Sequence, residues 1–167
     1  MKRFLTLFFL SICFFIPLMG QRLHLNDIIS VTKMQTENQA VSFLRSKGFV
    51  INDDIKLGGL GTSLYNKSTD TSVYVRFESN KFKTLGYTLK SDKNYATLLL
   101  KEIIDSNFFK DEEGNDWIGY HLFYTNDVIG IDVLSSSLGG KISYCFNVYP
   151  MLDFVDQVSS IRNYKRE

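Results

Sequence analysis

Cysteine, histidine, proline and tryptophan are all scarce in this chain, and each scarcity closes off a class of protein. The 167 residues include two Cys and two His, too few for a zinc cluster or a disulfide framework. No Cys-x-x-Cys or His-x-x-x-His pair is present. Two prolines and eleven glycines exclude collagen-like sequence. An excess of one charge is also missing. Nineteen Lys and Arg stand against 18 Asp and Glu, so there is no strong attraction to nucleic acid or anionic membrane. With 44% hydrophobic and 22% charged residues, the composition is globular and its length suits one domain.

The one long apolar run is N-terminal. Lys2 and Arg3 precede Phe4 to Met19, interrupted only by Thr6 and Ser11, and Pro17 and Gly20 end it. Residues 1–20 read as a secretory signal peptide, with cleavage expected between Gly20 and Gln21. The run falls short of the ~20 residues of a membrane span, so no stable insertion is expected after cleavage. Ile12 before Cys13 argues against lipidation. Loss of residues 1–20 leaves acids in excess by one and Cys145 as the sole cysteine. The expected location is periplasmic or secreted, with stability coming from burial rather than disulfides.

Residues 21–167 read as a single α+β domain. Asn26 and Thr36 mark the starts of two short helices, the second with Gln39 at capping-box spacing and Gly48 as a left-handed stop. Strands follow at Phe49–Ile51, Thr62–Lys67, around Val73–Phe77 and around Leu85–Leu89, and Gly58, Gly59 and Gly61 form a loose turn. Asp92 caps a helix from Lys93 to Phe108. The run Asp111–Asp116 reads as a solvated acidic turn. Strands then run over Trp117–Thr125, Val128–Ser135 and Lys141–Tyr149, before a terminal helix over 153–164. The expected fold is a largely antiparallel sheet of six or seven strands with helices packed on one face. Half-repeats of one helix plus three strands are expected over 26–90 and 92–149, with Leu85, Tyr87 and Leu89 matching Tyr144, Phe146 and Val148.

Leu25-Asn26-Asp27-Ile28-Ile29, Lys33-Met34, Phe43-Leu44 and Lys47-Gly48-Phe49 resemble the opening of certain exported bacterial proteins of unassigned function. A helix followed by Lys-Gly-Phe and a sheet, twice over, is similar to the tandem architecture of β-lactamase inhibitory protein. That second resemblance implies a fold and no activity.

The chemistry-bearing motifs are few. There is no Gly-x-Ser-x-Gly elbow, and Gly58-Gly59-Leu60-Gly61 lacks the Lys-Ser/Thr ending of a phosphate loop. The acidic run lacks calcium-loop spacing. No catalytic residue, metal site or cofactor is therefore assigned. Strand parity places Val73, Val75, Phe77, Leu85, Tyr87, Leu89, Ile118, Tyr120, Leu122, Ile131, Phe146 and others on a core face. The opposite face carries Tyr74, Arg76, Trp117, His121, Phe123, Asp132, Cys145 and Tyr149. Large aromatics among charges suit a recognition surface, although cross-strand pairs or a covering helix give the same pattern. The leading reading is an exported, non-catalytic interaction module for another protein or an envelope component, binding through Tyr74, Trp117, His121, Phe123 and Tyr149. A small hydrolase-like enzyme with converging acids or a Cys145–His121 pair is the alternative. A carrier of an apolar ligand held between helices and sheet is the second alternative.

Overall fold

A computed structural model describes residues 21–53, 61–138 and 140–164. The expected signal peptide, Gly58, Gly59 and the tail from Lys165 lie outside the described residues. Along the chain come α1 (Leu25–Thr32), α2 (Glu37–Ser46), β1 (Val50–Ile51), β2 (Thr62–Asn66), β3 (Thr71–Glu78), β4 (Lys81–Lys90) and α3 (Lys93–Asp105). They are followed by β5 (Phe109–Asn115), β6 (Tyr120–Thr125), β7 (Ile129–Leu138), β8 (Lys141–Pro150) and α4 (Met151–Tyr164). The protein is α+β, with a single antiparallel sheet ordered β1-β2-β3-β4-β8-β7-β6-β5.

Local chemistry explains the element ends. Thr36 caps α2 by accepting from Gln39 N at 3.3 Å, and Gly48 follows the helix at φ +87°. Asp92 caps α3 by accepting from Tyr95 N at 2.9 Å. α1 starts one residue before the expected Asn26 cap. His24 is its N-cap, and the Asp27 carboxylate accepts from His24 N at 3.1 Å. Ser79 and Asn80 both sit near φ +50 to +60°, the mirror-image turn that joins β3 to β4 without splaying them.

The sheet has eight strands where six or seven were expected, because a strand not foreseen, β5, forms one edge, while the expected short strand β1 forms the other. β1 is two residues long, and β5 is built from the run expected to be an acidic turn. β5 shows no alternation because its side chains are exposed on both faces along most of its length, and its charges discourage pairing with other chains. Each half of the sheet therefore holds four strands rather than three. The halves meet where Leu85 pairs with Val148, Tyr87 with Phe146 and Leu89 with Tyr144.

On one face α1, α2 and α3 close a core that includes Val75, Tyr87, Leu99, Ile103, Ile131 and Phe146, all at most 1% exposed. Ile118 and Tyr120 were expected in this core, but both are exposed, because β6 begins only at Tyr120 and Ile118 lies in the loop before it. The expectation that helices occupy one face fails at α4. This helix packs on the opposite face, where Phe154 and Val158 form a small second core with Phe123. Gly130 on β7 makes room for it. A methyl group there would come within 1.9 Å of Phe154 Cγ.

Candidate functional site

α4 changes the meaning of the opposite face. Phe123 is 1% exposed, its ring centroid 5.8 Å from that of Phe154. His121 is buried and stacks on Phe123 at 5.7 Å and 7°. Tyr149 is half-buried against the same cluster, and burial pushes its phenol pKa up. Tyr74, on β3, is half-buried, with Gly61 close to its ring. Trp117 is 82% exposed in the loop between β5 and β6. The five residues expected to form one exposed aromatic cluster are therefore split. His121, Phe123 and Tyr149 are brought together beneath α4, and Trp117 stands outside it.

On the α4 face of the sheet runs a chain of polar side chains. His121 Nδ1 donates to Asp132 Oδ1 at 2.9 Å, and Nε2 lies 3.3 Å from Asp116 Oδ1. The second contact is an ion pair too oblique for a well-aligned hydrogen bond. Desolvation alone would lower the His121 pKa, but the two carboxylates raise it above the usual histidine value. Burial would raise the pKa of Asp116, but backbone donors at Gly119 and Ile118 and the imidazole lower it. Asn147 Nδ2 donates to Asp132 Oδ2 at 3.3 Å, and the Cys145 thiol donates to Asn147 Oδ1 at 3.1 Å.

Cys145 and His121 lie in one row of the sheet, with Leu134 between them. Two strand spacings separate them, ~9–10 Å. Burial pushes the thiol pKa up to about 11, against a smaller lowering by the Thr88 hydroxyl, so Cys145 is not a thiolate near neutral pH. Both imidazole nitrogens face carboxylates, which favours the protonated ring, and in that form the ring has no lone pair to act as a general base. The chain reads as a structural clamp. It ties the 116–119 loop, through Asp116, to β6, β7 and β8.

Two clefts open at the two ends of the sheet. One, of about 610 Å³, is polar and is lined by Arg22, His24, Asp27, Lys47 and Tyr95. Its polar side chains are matched internally: Arg22 with Asp92, Lys47 with Asp27 at 2.8 Å, and the His24 ring with Glu102 at 2.7 Å. The other, of about 630 Å³, lies where α1 and α3 end and the core opens between helices and sheet. Its wall is mainly Ile29, Met34, Phe82, Phe108, Ile129 and Pro150. Val128, 71% exposed, stands at its lip. Sequence reasoning missed this cleft because its wall comes from five separated segments. Among the described residues no cluster of His, Cys, Asp and Glu is arranged to hold a metal ion, and no helix is long and apolar enough to cross a membrane.

Comparison with protein-family models, curated proteins and solved structures finds no match for the chain.

Proposed function

We propose that this chain is an exported, non-catalytic binding protein whose ligand sits in the apolar cleft at the open end of the core. The cleft carries the reading. Its volume of about 630 Å³ falls within the ~300–1,000 Å³ of small-molecule sites, which are mainly apolar with few polar groups. The far-face aromatics support no such seat, since Phe123 and His121 are buried.

A neutral apolar dye, N-phenyl-1-naphthylamine, is expected to bind saturably with a rise in fluorescence. Val128→Asp places a charge at the apolar lip and is expected to weaken binding about tenfold. Trp117→Ala is expected to leave it unchanged. Absence of saturable binding would refute the reading. Loss of binding in Trp117→Ala but not in Val128→Asp would move the site to the exposed loop.

Export rests on the charged start and apolar run of residues 1–20. Mass spectrometry of the protein recovered from a bacterial envelope or medium should place its N-terminus at or near Gln21. Full-length chain in the membrane fraction would contradict cleavage.

A further inference from the structure

We infer that the ligand of this cleft is a single-chain amphipathic anion, an aliphatic carboxylate of fatty-acid type held by Lys33 and Lys81. The inference rests on the reading of the cleft as a ligand seat and adds the chemistry of the head group.

Charge at the cleft has one sign. Lys33 and Lys81 both line it, and no Asp or Glu does. Three acids stand nearby, outside the lining: Asp127 at the tip of the β6–β7 connection, Asp105 at the end of α3, and Glu78, which is opposite Lys81 across the hairpin and is ion-paired with Arg76 and Lys83. Neither lysine has an ion-pair partner among the described residues. The polar cleft at the other end differs here, since its lysine and arginine are already paired. The backbone fixes both lysines. Lys33 is the C-cap of α1, its N–H donating to Ser30 O at 3.3 Å, and the next N–H, of Met34, donates to Val31 O at 3.1 Å. Lys81 begins β4 immediately after the tight Ser79–Asn80 turn.

The wall also selects the ligand's body. Two of its polar groups are used internally: the Thr32 hydroxyl donates to Ile29 O at 2.8 Å, and Asn126 Oδ1 accepts from Val128 N and Ile129 N, both at 2.9 Å. Gln35, Asn80 and Ser106, also in the lining, are exposed to solvent, which leaves the buried wall apolar. An extended peptide would bury amides against a surface with few partners for them, and an unpartnered buried amide is costly. An alkyl chain with its polarity at one end makes no such demand.

Displacement of the neutral dye separates the cases. Laurate is expected to displace it at lower concentration than dodecanol. That advantage should shrink between about 10 mM and 1 M salt, because exposed charge pairs are screened. In Lys33→Gln/Lys81→Gln, laurate affinity is expected to fall roughly 3- to 10-fold, the range for two exposed ion pairs, with dodecanol unchanged. Equal affinity of laurate and dodecanol, or a laurate affinity untouched by the double substitution, would overturn the head-group assignment and leave the cleft reading intact. Dye binding that neither ligand displaces would overturn the chain assignment as well. A free-carboxylate apolar tripeptide that outcompetes laurate would replace the acyl chain with a peptide terminus. A dimer by size exclusion that excludes dye and laurate alike would make a second copy the occupant and refute both readings.

Discussion

Phe146→Ala is expected to destabilise the protein by ~3–5 kcal/mol, the range for deleting a buried phenylalanine and leaving a cavity. Phe146 sits on β8 at the middle of the sheet, 1% exposed, with Tyr87 opposite on β4 and Val133 opposite on β7. Ala96 and Leu100 of α3 lie over it across a cleft of about 130 Å³, and hydrogen-bonded strands on both sides leave the site little freedom to collapse. A domain of this size has a total stability of roughly 5–15 kcal/mol, so the loss is a large share. Urea denaturation should show a lower midpoint with an unchanged slope. Ile142 provides the control. It lies on the same strand with the same parity, yet is 49% exposed near the strand end. Its alanine variant should stay within about 0.5–1 kcal/mol of the parent. A loss below about 1 kcal/mol for Phe146→Ala would mean that β8 presents its other side to the core, since a one-residue slip exchanges the two faces.

The near-face core was legible in the sequence because a half-buried strand prints its facing as an alternation. Val73 and Val75, Leu85, Tyr87 and Leu89, and Phe146 and Val148 carry that alternation, and all are buried. Helix ends were legible where a cap is local, as with Thr36, Gly48 and Asp92. Two features were hidden. The β5 edge has no alternation, so Asp111, Glu112 and Glu113 looked like a turn. The face taken by α4 depends on a contact between residues 130 and 154, which local periodicity does not report. One signal was available. Gly130 interrupts the apolar run of Val128, Ile129 and Ile131, and glycine inside a strand marks a close approach. The ring of Phe154 fills that gap, and with it the expected open surface becomes a second core. The apolar cleft left no local trace, because its wall is assembled from chain segments as far apart as Ile29 and Pro150.

Breaking the His121–Asp132 pair is expected to have the other large effect. Both residues are at most 6% exposed. Asp132→Leu would leave the imidazole without its carboxylate partner at Nδ1 and Asn147 Nδ2 without its acceptor. Removing one partner of a buried ion pair costs ~3–5 kcal/mol, mainly through the charge left uncompensated. The pair also fixes a pH dependence. The folded pKa of His121 is raised above the usual 6.5, so its stabilisation is complete below about pH 6.5 and is lost as pH rises through the raised value. The pKa of Asp116 is lowered. Its contribution is present above the unfolded carboxylate range near pH 4 and disappears as pH falls through the lowered value. These two groups together place their greatest combined contribution between about pH 4 and 6.5. His121→Phe would keep the stack on Phe123 and abolish the decline above pH 6.5, whatever its cost in absolute stability. Chemical denaturation of the parent and of His121→Phe across pH 5 to 9, a range spanning the unperturbed histidine pKa of about 6.5, gives the measurement. Parallel curves would show that His121 is uncharged beneath α4 and that the clamp on the Trp117 loop is not ionic.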